Sequence, residues 1–226
     1  MDIFLFYPIL FNNPVDFIQY QYELCYRCHT DSPNMPSSKT ARHLEQNDLR
    51  LEFDLSGPSY HPVVGSGKNP DVPSLIGSAY TESSVIYCTD CHAGDDAGAP
   101  AGPHGSSYPS ILKYRYEKAD YTAESVSNYE LCYSCHDRES ILGDNSFPYH
   151  DKHIRDEETP CNACHDPHGI NSPQGNSTNN SHLINFDISI VSTVGPVTRR
   201  FVDTGLNSGY CQLKCHNKTH TLMMNY

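Results

Sequence analysis

The chain has 226 residues, a formal net charge of −12 and few of the residues that build an ordinary hydrophobic core. Hydrophobic residues make up 37% of it, tryptophan is absent, and 16 prolines and 14 glycines interrupt regular structure. Such an acidic chain is a poor partner for nucleic acid, and no run approaches the roughly 20 apolar residues of a membrane span. The length allows one or two domains.

The chain begins with an apolar, aromatic stretch, which we interpret as an N-terminal arm over residues 1–19. It has no basic region and no cleavage site of small residues, so it does not resemble a signal peptide. An apolar arm on an otherwise polar chain needs burial. We therefore expect it to pack under its own domain or against a neighbouring subunit, with residues 20–226 forming a single domain.

Regular structure is predicted in only a few places. Two octapeptides of the chain are nearly identical, Tyr22–His29 and Tyr129–His136. At the start of each lies a pair of residues with the spacing of a capping box: Asp16 with Gln19, and Ser127 with Glu130. Both are expected to form short helices. Segments 56–76, 93–110 and 171–181 are rich in glycine, proline, serine or asparagine and read as loops. Ile188–Val194 and Val197–Val202, joined by Gly195-Pro196, favour a small hairpin.

All ten cysteines occur in five segments that contain two cysteines and then, immediately, a histidine. The cysteine pairs are Cys25 and Cys28, Cys88 and Cys91, Cys132 and Cys135, Cys161 and Cys164, and Cys211 and Cys215. The histidines that follow them are His29, His92, His136, His165 and His216. This is the attachment pattern of c-type haem, in which two thiols form thioethers and the adjacent imidazole binds iron. The fifth motif has three residues between its cysteines instead of two.

Two other uses of paired cysteines are structural zinc sites and disulfides. A zinc site takes its ligands from two such pairs, and neither use requires a histidine directly after each second cysteine. The pattern therefore favours five covalently bound haem c groups, with the haems serving as the core of a mostly coil chain that has a few short helices. Each haem adds two propionates, so the loaded protein is still more acidic.

Eight more histidines could supply the second axial ligand of each iron. Six have a favourable sequence context: His61, His104, His150, His153, His168 and His182. The other two, His43 and His220, rank lower. Proline and glycine flank His104 and His168, and His168 is close enough to His165 that we expect it to reach a neighbouring iron. His150 and His153 lie on one helical face and could serve two haems or one. The four methionines are too few to compete, so two histidines are expected on every iron.

Several phrases resemble the extracellular multihaem c-type cytochromes of metal-reducing bacteria, of the OmcE and OmcS type. They include Ser59–Val63, Gly102–Gly105, Cys161–Gly169 and His182–Asp187. The likeness covers residues from about 20 to the end. It implies a head-to-tail filament, or nanowire, in which haems continue across subunits and a histidine of one subunit can bind iron in the next.

We therefore expect electron transfer without substrate chemistry, because iron with two protein ligands has no open position. The expected partners are other copies of the chain, other redox cytochromes and extracellular metal acceptors. The expected location is outside the cell or at its surface, with the periplasm as the alternative. Two other functions stay open: a discrete periplasmic or cell-surface carrier, and a multihaem reductase, which would need one iron with an open side.

Overall fold

The computed structural model describes residues 18–30, 39–100 and 102–221. Most of this chain is coil. The α-helices are α1 (Gln21–Tyr26), α2 (Leu49–Glu52), α3 (Cys88–Cys91), α4 (Glu130–Tyr133) and α5 (Arg138–Leu142). Short 3-10 turns occur at Pro109–Ile111, Cys161–Ala163 and Ser181–Leu183, and a π-helical turn at Lys152–Asp156. The prediction of a mostly coil chain with short helices is confirmed.

The helix starts differ from the predicted ones. Helix α1 begins after Tyr20, whose backbone N–H donates to the Glu23 carboxylate, and the predicted cap Asp16 lies outside the described residues. Helix α4 begins after Tyr129, so the predicted cap at Ser127 is wrong. Ser127 lies inside a turn closed by the hydrogen bond from Asn128 N to Ser125 O, and its hydroxyl contacts that of Ser125. The Ser127 hydroxyl is therefore engaged within this turn and does not cap helix α4.

The three strands are β1 (Arg200–Gly205), β2 (Ser208–Cys215) and β3 (Lys218–His220), which form an antiparallel sheet in that order. The predicted hairpin is therefore misplaced. Val194 and Val197 do close a turn around Gly195-Pro196, but Ser192 pairs with Lys214 of β2 instead of extending that hairpin. The true β1–β2 connection contains Asn207 at φ +51°, a conformation that asparagine tolerates better than most residues.

The apolar core is divided into three small clusters, and each includes motif cysteines. The largest, around Phe186, Val191 and Phe201, contacts Cys164, Cys211 and Cys215. A second, around Tyr26 and Phe53, contacts Cys88, and a third, around Tyr129 and Leu142, contacts Cys161. Separate clusters of this size do not form one continuous protein core. That bound haems occupy the space between the segments stays a prediction.

Contacts between distant segments tie the coil together. Isolated bridges join Arg42 to Asp187, Tyr60 to Gly169 and Leu75 to His136. The buried Arg42 donates to the carbonyl oxygens of Asn162 (2.7 Å) and Asn185 (2.9 Å).

The predicted N-terminal arm lies almost wholly outside the described residues. None of the helices in the described ranges combines the length and apolar character required to cross a membrane.

Candidate functional site

The four regular motifs share one local geometry. In each, the backbone N–H of the histidine donates to the carbonyl oxygen of the first cysteine, as in one turn of an α-helix. These N···O distances are 3.0 Å at His29, 2.8 Å at His92, 2.9 Å at His136 and 3.0 Å at His165. Residues three apart in such a turn lie about 5–6 Å apart on one face. Both thiols of a motif are therefore presented to the same side, as attachment to one porphyrin requires.

The fifth motif has a different geometry, because both of its cysteines lie in strand β2. Cys211, Leu213 and Cys215 point to one face of the sheet, since alternate residues of a strand share a face. An extended chain rises about 3.3 Å per residue, so these two thiols are roughly twice as far apart as those of a helical turn. His216 follows in the β2–β3 turn at φ +46°.

The ten cysteines are all free thiols, so the disulfide interpretation is not supported. The zinc interpretation is not supported either. Among the described residues, the one group of histidine, cysteine and acidic side chains compact enough to hold a metal ion directly is Glu52, Asp166 and His168, which contains no cysteine.

Thiols of different motifs lie next to one another, in the order of the chain. Cys25 and Cys88 share a hydrogen bond that lowers the pKa of Cys25 to about 7 and raises that of Cys88. Cys132 and Cys161 share a similar bond. The first motif is therefore adjacent to the second, and the third to the fourth.

Electrostatic effects link the remaining motifs. Burial, and then the charge of Cys135, raise the pKa of Cys91 to about 11. Burial, and then the charges of Cys211 and Cys215, raise the pKa of Cys164. The second motif is thus close to the third, and the fourth to the fifth. The five motifs therefore follow one another in space as they do in sequence.

Three motif histidines each face a second imidazole. The ring centroids are 6.2 Å apart for His92 and His168, 6.4 Å for His136 and His61, and 6.4 Å for His165 and His150. Two imidazoles that bind one metal ion from opposite sides have ring centres about 6 Å apart, because each bond is about 2 Å long and each nitrogen lies about 1 Å from its ring centre. The spacing of all three pairs fits an iron between them.

Hydrogen bonds at Nδ1 orient most of these rings. His92 Nδ1 donates to Ser110 O (2.9 Å), His165 Nδ1 to His182 O (2.8 Å), and His61 Nδ1 to Pro167 O. His150 Nδ1 shares a hydrogen bond with the Ser146 hydroxyl (3.1 Å). A histidine that binds metal usually donates its other ring N–H in this way, which fixes the ring and leaves Nε2 for the metal. This is a second, independent fit to iron.

Burial also keeps these imidazoles in the neutral form that binds metal. It lowers the pKa of His136 to about 4 and that of His165 to about 4. The pKa of His150 falls to about 3, first through burial and then through the nearby charge of His165. The ligating form is therefore populated across the neutral pH range.

His168 has a distinct environment. Its Nδ1 donates to the buried carboxylate of Glu52 (3.0 Å). Burial lowers the pKa of His168, but the hydrogen bond and charge of Glu52 outweigh it and raise the pKa overall. A Cβ on Gly169 would overlap the Glu52 carbonyl oxygen and Tyr60, so only glycine lets this loop approach. The glycine therefore lets another segment of the protein pass beside His168.

Two of the predicted axial ligands face no second histidine ring among the described residues, and their binding to iron stays a prediction. His182 has both ring nitrogens engaged, because Asn69 donates to Nδ1 (2.7 Å) and Nε2 lies 3.3 Å from Asp203. It contributes its backbone carbonyl to His165 instead. His104 is exposed, and no second histidine ring faces it within the described part of the chain. Its flanking Gly-Pro and Gly form an open loop, with Gly102 at φ +108°.

The motif histidines His29 and His216 also differ from the other three. His29 is exposed, and no second histidine ring faces it among the described residues. It is near enough to His92 for its charge to contribute to the lowered pKa of that histidine, after burial. The Nε2 of His216 donates to Asp120 (2.8 Å), and its ring stacks on Tyr121 at 4.4 Å. That His216 binds an iron stays a prediction.

A fourth histidine pair joins His153, which was predicted as a ligand, to His220, which ranked low. Their ring centroids are 6.1 Å apart. No local sequence signal marks His220, because it is the register of β3 on β2 that brings it beside Leu213. His43, the other low-ranked histidine, faces no second histidine ring within the described ranges, and burial lowers its pKa.

Comparison with known proteins identifies one part of the chain. Residues 81–141, which contain the second and third motifs, match the family described as "Doubled CXXCH motif". No curated protein and no solved structure is a significant match for the chain. The chain thus carries the paired CXXCH motif of multihaem c-type cytochromes, which binds haem c covalently and implies electron transfer.

Proposed function

We propose that this chain carries five haem c groups, transfers electrons along them without substrate chemistry, and assembles head-to-tail into an extracellular filament. The observation that carries the proposal is the row of five motifs, three of which have a histidine that faces a second imidazole 6.2–6.4 Å away. Bound haem supplies the one-electron chemistry, and the residues of the chain supply attachment, axial ligands and close spacing.

Covalent attachment needs no external oxidant or reductant. The motif thiols would hold the haem by adding across its vinyl groups, with each thiol hydrogen taken up by the vinyl carbon that is not bound to sulfur. The histidines are neutral and oriented through Nδ1, which leaves Nε2 for the iron. Irons bound by two histidines have no open position, which supports electron transfer over a reductase activity.

The exposed first motif supports assembly between subunits. His29 has no second histidine within the described residues, and the exposed His104 faces no other histidine ring. A neighbouring subunit that presents its His104 to the haem at His29 would supply the second axial histidine of that iron. This contact joins two different surfaces, so it repeats from one subunit to the next and forms an open filament.

The surface around the first motif is also apolar. Five large hydrophobic side chains, between 41% and 58% exposed, lie on or beside the contacting helices α1 and α3: Ile18, Tyr20, Leu24, Val85 and Tyr87. We call them the α1–α3 patch. An exposed apolar patch of this kind typically marks a protein contact. Residues 1–17, which are rich in apolar side chains, precede this patch in the sequence.

Haem stoichiometry and spin state test the electron-transfer proposal. The mature chain is expected to carry five haems by intact mass and to show only low-spin ferric spectra when assembled. A high-spin, cyanide-binding iron in the assembled protein would instead favour the reductase. In the isolated subunit, the haem at His29 is the one expected to bind cyanide.

Negative-stain electron microscopy tests the filament. Leu24→Glu is expected to leave single particles, because it puts a charge into the α1–α3 patch. The matched control is Leu206→Glu, at a side chain 73% exposed in the β1–β2 turn, which is expected to leave filaments intact. Globular particles alone at high concentration of the unaltered protein would contradict the filament and favour the discrete carrier.

A further inference from the structure

Three of the regular motifs are held by the same short backbone pairing. In each, another segment of the chain runs antiparallel to the motif and places one apolar residue opposite the motif histidine. These pairs are Leu75 with His136, Leu112 with His92, and Ile184 with His165. The next residue of each segment donates its backbone N–H to the carbonyl oxygen of the second cysteine, at 3.0 Å for Cys135, 2.8 Å for Cys91 and 2.9 Å for Cys164. We call the segments 73–76, 110–113 and 182–185 the histidine clips.

Two of the three histidine clips also reach the imidazole itself. The Nδ1 of His92 donates to Ser110 O at 2.9 Å, and the Nδ1 of His165 donates to His182 O at 2.8 Å. In both, the accepting residue lies two positions before the residue that pairs with the histidine. The corresponding residue in clip 73–76 is Pro73, and the described residues include no hydrogen-bond partner for the ring of His136. The second and fourth motifs therefore share an arrangement that the third lacks.

A rare backbone conformation distinguishes the two clips that reach Nδ1. Ser110 and Ile111 have φ of +62° and +54°, and His182 and Leu183 have φ of +55° and +61°. Residues other than glycine seldom adopt positive φ, and then as single residues. No residue of clip 73–76 has a positive φ. Two successive left-handed residues thus occur in the clips whose carbonyl oxygen meets the ring.

Side-chain packing does not account for this conformation at the second motif. Left-handed backbone at isoleucine is unfavourable and persists only where the surrounding structure holds it. The side chain of Ile111 is 42% exposed, and that of Ser110 is exposed as well. What the conformation does achieve is the direction of the Ser110 carbonyl group, which points at the imidazole of His92.

We infer that Ser110-Ile111 and His182-Leu183 are positioning residues for the second and fourth haems. Their left-handed backbone holds a carbonyl oxygen on Nδ1 of the motif histidine and thereby lowers the reduction potential of the iron that this histidine binds. The physical reason is that a hydrogen bond from Nδ1–H makes the imidazole a stronger electron donor, which favours the oxidised iron. The inference rests on the proposed function, because it requires haems at these two motifs.

A proline at position 111 tests the inference in the full, haem-loaded chain. Proline fixes φ near −65° and drives the residue before it into an extended conformation, so Ile111→Pro removes both positive φ values of this clip. The variant is expected to keep five low-spin haems and to raise the reduction potential of one of them, because the Ser110 carbonyl group leaves His92. Redox titration followed by absorbance measures the shift.

The matched control is Ile111→Gly, since glycine adopts positive φ without strain. It is expected to leave every potential unchanged, because the carbonyl oxygen stays in place. An equal shift in Ile111→Gly and Ile111→Pro would overturn the inference, because the lost side chain and not the backbone would then set the potential. Unchanged potentials in Ile111→Pro with five haems bound would overturn it as well.

A milder variant covers the case in which Ile111→Pro does not take up five haems. Ser110→Val places a β-branched residue at an exposed position with positive φ, which that type of residue disfavours. A smaller upward shift of the same haem is expected. Potentials identical to those of the unaltered protein would overturn the inference.

Removal of one haem identifies the potential that shifts. The double variant Cys88→Ser, Cys91→Ser is expected to lack the second haem, and its titration is expected to lack the potential that responds to Ile111→Pro. A response from another haem would overturn the inference alone, since the haems would still be bound. A mature chain without haem on any motif would overturn the proposed function itself.

Discussion

The four regular motifs and the fifth use different secondary structure for the same residues. A helical turn brings two thiols and the next imidazole together through local geometry, as the repeated hydrogen bond at His29, His92, His136 and His165 indicates. The fifth motif has one additional residue between its cysteines and lies in strand β2, where the extended chain holds the two thiols farther apart. The comparison teaches that local geometry keeps the two thiols and the imidazole of a motif together only when the chain around it is helical.

The largest expected effect comes from removing a regular motif in the middle of the row. The double variant Cys132→Ser, Cys135→Ser is expected to lose one haem and to interrupt electron transfer between the outer sites, because the third motif contacts both the second and the fourth. Intact mass measures the number of haems, and the kinetics of haem reduction measure electron transfer along the row. Cys211→Ser with Cys215→Ser is the control at the end of the row: it is expected to lose one haem without interrupting transfer among the others. Equal kinetics in the two variants would contradict a linear row.

A buried arginine tests how far the fourth motif is organised by the protein itself. Arg42 donates to Asn162 O inside this motif and lies 3.5 Å from the buried carboxylate of Asp166. Arg42→Met is expected to destabilise the loaded protein by about 3 to 5 kcal/mol, because it leaves Asp166 buried without its partner. Denaturant unfolding measures the change.

The matched control for that variant is an exposed ion pair. Arg115 lies 3.0 Å from Glu117, and its side chain is 46% exposed. Arg115→Met is expected to cost less than about 1 kcal/mol, because water screens such pairs. Similar losses in the two variants would show that the buried pair has no special role near the fourth motif.

A smaller effect is expected from the carboxylate behind His168. Glu52→Gln is expected to raise the reduction potential of one haem, because it removes negative charge from His168, the imidazole that we propose as the ligand opposite His92. Glu82→Gln, at an exposed position, changes the net charge equally and is expected to shift no single haem. Redox titration followed by absorbance distinguishes the two. An unchanged potential in Glu52→Gln would place His168 outside the ligand set.

The smallest effect is expected at His182, whose ring nitrogens are both engaged. His182→Asn is expected to leave every iron low-spin and to cost only about 1 kcal/mol through its lost hydrogen bonds. Asparagine is chosen because His182 has φ +55°. His150→Asn is the contrasting variant and is expected to open one iron. A high-spin signal in His182→Asn would restore His182 as an axial ligand.

The sequence by itself determined the cysteine pairs, the local geometry of the regular motifs and the mostly coil fold. These follow from residues close together in the chain: Cys161 to His165 fit one turn wherever that turn lies. Composition also excluded a large aliphatic core. The match over residues 81–141 depends on the same local pattern.

Only the tertiary structure decided which histidines meet. His61 is 75 residues from His136 in the sequence, and His168 is 76 from His92, so no local rule pairs them. Context near His104 and His168 is almost identical, yet His168 is brought against Glu52 and His104 lies on the surface. At the fifth motif, the register of β3 on β2 brings His220 to the thiols and leaves His216 in the turn. The physical reason is that attachment depends on neighbours in the chain, whereas axial ligation depends on how distant segments pack.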